Sequence, residues 1–296
     1  VLILAGPTAS GKTELALHLA ERFDAEIVGA DSRQVYRGMP IGTAAPDAAQ
    51  LARVPHHLVA FLDPEEQYSA ARFVVDARRA IDDIHARGKR AIVAGGTGFY
   101  IRALAGDVTL DAAYDPVLRE RLAHEARLHP PEVLADWLAA LAPQRAAGIA
   151  PNDPYRVTRA LEIVLAARAP APSARPSELP SLRAGGIPFV KLVIDTEPAA
   201  LLERIERRVD GMLAAGLLDE AERVGGDAVA ADAVGYREAL AFLAGFSTAA
   251  ELRTQLIRNT RRYAKRQVTW FRTEPGIVRV PAALVETTAR ERLGWG

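Results

Sequence analysis

The chain has 296 residues, 49% of them hydrophobic, which is enough to bury a full core in one large domain or in a domain with an insertion. It has no cysteine, so disulfides, thiolate zinc sites and cysteine nucleophiles are excluded and a reducing compartment is compatible. Its 37 basic and 37 acidic residues cancel, which argues against polyanion binding by the whole surface and leaves room for a local basic patch.

Residues 1–5 are apolar and predict a buried strand. No apolar run in the chain approaches the roughly 18 residues of a membrane span, and this first run is too short for a signal peptide. A cytoplasmic protein is expected. The lack of an initial Met suggests a trimmed or partly unobserved terminus.

Gly6, Pro7, Thr8, Ala9, Ser10, Gly11, Lys12 and Thr13 follow and fill every fixed position of the pattern GxxxxGK[ST]. Residues 14–23 then carry Leu15, Leu19 and Phe23 at helical spacing, so the motif lies between a strand and a helix, as a nucleotide-binding or ATP-binding loop requires. Its glycines let backbone N–H groups approach an anion, and the helix N-terminus adds positive potential. Lys12 can reach terminal phosphates, and the Thr13 hydroxyl is the expected Mg²⁺ ligand.

A second strand is predicted at Ala25–Gly29, followed by Asp31, Ser32, Arg33 and Gln34. Asp31 is open to three readings there: general base, Mg²⁺ ligand or helix N-cap. The Gln34 amide is suited to reading a base edge. His56 and His57 are adjacent, face opposite ways and have no third ligand nearby, so they are not read as a metal site. A helix is predicted over Ala70–Ala86, with Phe73, Ala77, Ile81 and Ile84 on one stripe. Residues 90–94 form a third strand and lead into Gly95, Gly96, Thr97 and Gly98. This turn either serves close backbone approach or merely joins strand to helix, and Thr97 is a candidate contact for phosphate or substrate.

The alternation implies an α/β fold: a P-loop NTPase-like parallel sheet flanked by helices, with right-handed crossovers. Ligands of such sheets gather at the carboxyl ends of the strands, so Asp31, Thr97 and the phosphate loop should meet in one crevice. Residues 116–180 read as a mostly helical insertion ending in a Pro-rich linker at 170–180. Residues 1–115 and 181–296 form the core. A strand is expected at 187–194, and one long amphipathic helix at 199–222. Residues 225–233 read as a loop. Arg204 and Arg208 share a face of that helix. They are either a solvated basic face paired with Glu203 and Glu206 or a clamp on a diphosphate. Farther on, Arg258, Arg261, Arg262, Lys265 and Arg266 make one helical face cationic, with no acidic residue between Glu251 and Glu274. That density suggests contact with a phosphate backbone, against a plain solvated surface as the other reading.

Taken together, the segments 6–13, 30–39, 41–43, 55–58, 68–69, 95–98, 152–154, 234–237 and 259–272 resemble the tRNA dimethylallyltransferase (tRNA isopentenyltransferase) family, in order, over residues 1–272. The resemblance implies transfer of a dimethylallyl group from dimethylallyl diphosphate to N6 of the adenine 3′ of the tRNA anticodon. It implies Asp31 as the base, Thr97 and Arg208 as catalytic partners and the phosphate loop, with Mg²⁺, as the diphosphate site. It further implies tRNA contacts at Asp31, Ser32, Arg33, Gln34, Thr97, Arg156, Arg159, Gly235, Tyr236, Arg237, Lys265, Arg266, Gln267, Thr269, Trp270 and Arg272. The insertion is expected to help hold the anticodon stem-loop, and the protein to act as a monomer without a membrane. The chain departs from the family at Tyr155, where Gln is usual, at Phe99, where Leu is usual, and in a short 224–233 region. An isopentenyltransferase acting on free adenine nucleotides, a small-molecule P-loop kinase and a non-enzymatic nucleic-acid binder are the rival readings.

Overall fold

The structure is a computed structural model and describes residues 1–108, 110, 116–167 and 180–295. Six strands form one parallel sheet: β1 (Leu2–Ala5), β2 (Ala25–Gly29), β3 (His56–His57), β4 (Arg90–Gly95), β5 (Val190–Asp195) and β6 (Ile277–Pro281). Their order across the sheet is β3-β2-β4-β1-β5-β6, and every paired register is parallel. β1 and β2 are buried along their whole length, as strands covered by helices on both faces must be, and so they read as near-continuous apolar runs.

Two charged residues break that rule, and each is paired. In β2, buried Glu26 accepts from Arg87 Nη2 at 2.6 Å and lies 2.7 Å from His57 Nε2. In β5, buried Lys191 donates to Asp107 at 2.5 Å, Glu274 at 2.6 Å and the Pro275 carbonyl at 3.0 Å. A buried charge persists only with such partners.

The chain divides into two compact units: residues 1–108 with 179–296, and residues 109–178. In the first, Leu4, Leu17, Leu19, Ile92, Leu192 and Trp295 belong to one apolar cluster, and Met39, Val209, Leu217, Tyr236 and Leu256 to another. The second unit is helical among its described residues, with Pro116–Leu128, Pro131–Leu141, Pro143–Ala146 and Pro154–Ala166 around Leu122, Leu134, Leu138, Val157 and Leu161. The Pro-rich linker expected at 170–180 lies, apart from Pro180, outside the described residues.

Helices Lys12–Arg22 and Ala70–Ala86 fall where their apolar stripes place them. The single helix expected at 199–222 is instead two, Pro198–Ala214 and Leu217–Val224. Between them Gly216 adopts φ 97°, a left-handed conformation that ends a helix. Glu197 caps the first of the pair, accepting from the backbone N–H groups of Ala199 and Ala200. The region read as a loop at 225–233 contains a 3₁₀ turn, Val229–Asp232. β5 starts at Val190, later than expected, and β3 and β6 were not foreseen.

Candidate active site

β1 runs into the glycine-rich loop, and the helix Lys12–Arg22 starts from Gly11, whose φ of 89° suits only glycine. The loop closes on itself through Ser10 N–H to the Pro7 carbonyl at 3.2 Å. Lys12 folds back over it, and its Nζ donates to the same Pro7 carbonyl at 3.1 Å. Burial lowers the Lys12 ammonium to about 8; Asp31 opposes that shift and the Arg208 guanidinium adds to it.

The helix Pro198–Ala214 supplies two arginines to the loop. Arg208 donates to Thr8 Oγ1 at 2.8 Å, and Arg204 to the Ser10 carbonyl at 3.2 Å. Arg207 points elsewhere and is exposed. Spacing of four residues on one helical face therefore brings Arg204 and Arg208 together at the loop, as a clamp requires. Burial lowers the Arg208 guanidinium, with Asp31 pulling it back.

Asp31 stands at the end of β2 and caps no helix. One of its oxygens accepts from the Arg33 backbone N–H at 3.0 Å, a turn that fixes the carboxylate. Its other oxygen has no hydrogen-bond partner among the described residues. Thr97 does not reach the cavity lining. Its hydroxyl accepts from Ser32 N–H at 2.9 Å, and its backbone N–H donates to the Ala30 carbonyl at 3.1 Å. It fastens the strand carrying Asp31 to the turn after β4. Arg33 forms a two-pronged pair with Asp232, so its charge is matched within the protein. The Gln34 amide nitrogen donates to the carbonyls of Thr43 and Ala44, at 3.2 and 2.8 Å, and shapes the adjacent turn; as donor to a base edge it is already engaged.

Thr8, Lys12, Asp31, Arg33, Gln34 and Arg208 are among the residues around a cavity of about 500 Å³, within the range of small-ligand sites. Its polar lining includes Lys12, Thr13, Asp31 and Arg208; Val209, Met212, Ala233, Val234 and Leu256 supply apolar lining. Tyr263 also lines it, and burial together with Asp31 pushes its phenol well above the ordinary range, so the hydroxyl stays protonated. The sequence reading did not single out Tyr263 as a site residue. Its place one turn before Arg266, which lines the same cavity, was the available signal.

Residues Leu256, Thr260, Tyr263 and Arg266 of the cavity all come from the long helix Ala249–Arg272. Its Arg258, Arg261, Arg262, Lys265, Thr269 and Arg272 are exposed. Among the described residues no carboxylate pairs with these cations. Arg266 lies over the Tyr263 ring, 5.6 Å from its centroid.

Three of the residues expected to contact tRNA have partners inside the protein. Gln267 is 5% exposed, with both ends of its amide bonded inside the protein. Tyr236 is fully buried, and its hydroxyl donates to Glu220 at 2.7 Å. Trp270 is half-buried under Arg102, and its indole N–H donates to Glu274 at 3.1 Å. Gly235 lines the cavity and Arg237 is exposed. In the helical unit, Arg156 is exposed beside Asp153, whereas Arg159 pairs with buried Glu162. No helix among the described residues is long and apolar enough to cross a membrane.

The family model for IPP transferase matches residues 34–274. The tRNA dimethylallyltransferase of Geobacter sulfurreducens is 43% identical over 284 residues, covering 94% of this chain and 90% of that protein. The tRNA dimethylallyltransferase of Anaeromyxobacter sp. (strain K) is 46% identical over 299 residues, covering 99% and 97%. Among solved structures, the tRNA isopentenylpyrophosphate transferase of Bacillus halodurans matches with a TM-score of 0.69 at 36% identity, covering 99% and 96%. A eukaryotic dimethylallyltransferase acting on tRNA matches with a TM-score of 0.76 at 27% identity, covering 99% of this chain and 76% of that one.

Proposed function

Because the chain belongs to the IPP transferase family, we propose that it transfers the dimethylallyl group of dimethylallyl diphosphate to N6 of the adenine 3′ of the tRNA anticodon. One observation carries the reading. The long helix that lines the Asp31 cavity with Tyr263 and Arg266 also presents Arg258, Arg261, Arg262 and Lys265 to solvent. A nucleic-acid grip and a phosphate-binding reaction centre thus share one rigid element.

The reaction breaks the allylic C–O bond, and negative charge builds on the departing diphosphate. Lys12, Arg208, Arg204 and the loop N–H groups other than those of Thr8 and Ser10 are the donors for that charge. The carbon left behind is cationic in character and meets the apolar lining of Val209, Met212 and Leu256. The adenine N6 lone pair forms the new C–N bond. Its proton passes to the unpartnered oxygen of Asp31, held in place through the other oxygen by Arg33 N–H. The adenine must leave its stack to enter the cavity. The products are the prenylated adenosine in tRNA and diphosphate.

Mg²⁺ fits this site. Among the described residues no three His, Cys, Asp or Glu cluster into a closed cage. The Thr13 hydroxyl on the cavity wall is the kind of single protein ligand that Mg²⁺ takes alongside phosphate oxygens. When bound, the ion neutralises diphosphate charge. We assign the exposed Arg156 and the helical unit to the anticodon stem-loop, and take the working enzyme as a cytoplasmic monomer.

The test is transfer of labelled dimethylallyl diphosphate to unmodified tRNA, with AMP and ATP alongside. Mg²⁺-dependent label on tRNA is the expected outcome. Label on AMP or ATP alone would move the reading to adenine nucleotides, and transfer to no acceptor by folded protein would overturn it.

A further inference from the structure

We infer that Gln267 is a positioning residue for the diphosphate site: a side chain of the tRNA-facing helix that holds the phosphate-binding loop in register with the turn after β4. The inference rests on the proposed reaction for its substrate but on geometry for the role.

Gln267 reaches two segments that are far apart in the chain. Its Oε1 accepts from the Thr8 backbone N–H at 2.8 Å, and its Nε2 donates to the Gly96 carbonyl at 2.9 Å. The two partners dictate the orientation of the amide, since an N–H must meet the oxygen and a carbonyl must meet the NH₂. The side chain is buried, and the bond to Gly96 with it, so water competes little for either partner. Each bond would leave an unsatisfied backbone group if broken.

Thr8 is bonded on both sides. Its N–H is taken by Gln267 and its hydroxyl by Arg208. The Thr8 N–H is therefore turned away from any anion in the loop, and Thr8 acts as the peg on which the loop is hung. Moving that peg moves the Arg208 guanidinium, which the reaction needs on the leaving group. The space for the contact comes from Gly96. A Cβ there would stand 2.3 Å from Gln267 Nε2, and its φ is not left-handed, so room rather than backbone freedom is what the glycine supplies. The neighbouring cations Lys265 and Arg266 are exposed on the same helix, so one helical turn carries both outward grip and inward support.

Two variants disturb the same contact from opposite sides. Gln267→Met keeps the volume and removes both hydrogen bonds. Gly96→Ala adds one methyl that displaces the Gln267 amide. Three measurements are made on each: titration with inorganic pyrophosphate and Mg²⁺, the KM for dimethylallyl diphosphate at saturating tRNA, and tRNA affinity at two salt concentrations. Both variants should weaken pyrophosphate binding and raise that KM by about ten-fold, the scale of one lost buried hydrogen bond. Their tRNA affinity and its salt dependence should match wild type. Weakened tRNA binding with unchanged pyrophosphate affinity would make Gln267 a tRNA contact. A lowered melting temperature with all three readouts unchanged would make it an ordinary core residue. Either result overturns the inference. If Gln267→Met does not fold, Gly96→Ala carries the test alone. The pyrophosphate titration needs no turnover, so failure of wild type to prenylate tRNA would count against the proposed reaction and not against this role.

Discussion

Lys12 lends itself to a quantitative test because its ammonium titrates at about 8 rather than at its ordinary 10.5. The cause is burial in the loop, where among the described residues the Pro7 carbonyl alone accepts a hydrogen bond from it. A diphosphate entering the cavity favours the charged form, so binding is strong when Lys12 is protonated and weakens as pH rises through about 8. About nine-tenths of Lys12 is charged at pH 7 and about one-tenth at pH 9, so affinity for the anion should fall ~10-fold across that interval. Binding at pH 8.5 should take up most of a proton. Calorimetric titration with inorganic pyrophosphate, in buffers of different ionisation enthalpy, reads both quantities. Lys12→Met supplies the control, because pyrophosphate titrates identically with either protein and the difference isolates the lysine. A wild-type profile parallel to that of Lys12→Met between pH 7 and 9, with no proton uptake, would refute the argument. The same shift has a stability counterpart. The folded value lies below the unfolded one, so the penalty for a charged Lys12 is fully present below pH 8 and fades as pH rises toward 10.5. Lys12→Met should therefore be inactive yet more stable at pH 7, by on the order of 1–3 kcal/mol, with the gain shrinking at high pH.

Asp31→Asn should lower turnover by about 10²- to 10⁴-fold while tRNA affinity stays near wild type; surviving activity in single-turnover assays would remove Asp31 as the proton acceptor. Lys265→Ala and Arg266→Ala should weaken tRNA binding and each reduce the slope of log affinity against log salt by about 1. Filter binding at several salt concentrations checks this, and an unchanged slope would exclude phosphate contact. Tyr236→Phe leaves Glu220, already accepting from the N–H groups of Ile41 and Gly42, short of one buried donor. It should cost about 1–3 kcal/mol of stability in denaturant unfolding, with tRNA affinity unaltered, because the phenol never reaches solvent.

The glycine-rich loop and Asp31 were legible as neighbours in one cavity because parallel strands deliver their carboxyl ends to one edge whatever their separation in the chain, whereas the turn after β4 lies behind that lining rather than in it. β2 and the helix Ala70–Ala86 were legible to the residue, since buried strands and long amphipathic helices carry the strongest patterns. The break at Gly216 was not legible. Leu217 and Leu218 continue the apolar stripe across it, so periodicity alone joins two helices into one. β3 has only two residues and β6 sits at the sheet edge, too little pattern in either case. Within the site, the sequence told which residue types were present and not which way they faced. Gln267 and Lys265 lie two positions apart, on opposite sides of their helix, one sealed in the core and the other in water. Thr97 and Gln34 hold their neighbours in place, and only tertiary partners reveal that.

The first strand of the chain pairs with β5, about 190 residues later, and the loop that follows it takes its supports from Arg204, Arg208 and Gln267. Local turns shape this site, but many of the contacts that hold it join segments far apart in the chain. During synthesis the glycine-rich loop emerges well before its supports and must wait, unsupported and partly apolar, until residue 267 has left the ribosome. Topologies of such high contact order fold slowly and expose sticky intermediates. Prematurely terminated products ending before residue 267 would retain the recognisable loop yet hold it in no working shape, leaving them inactive and prone to aggregate.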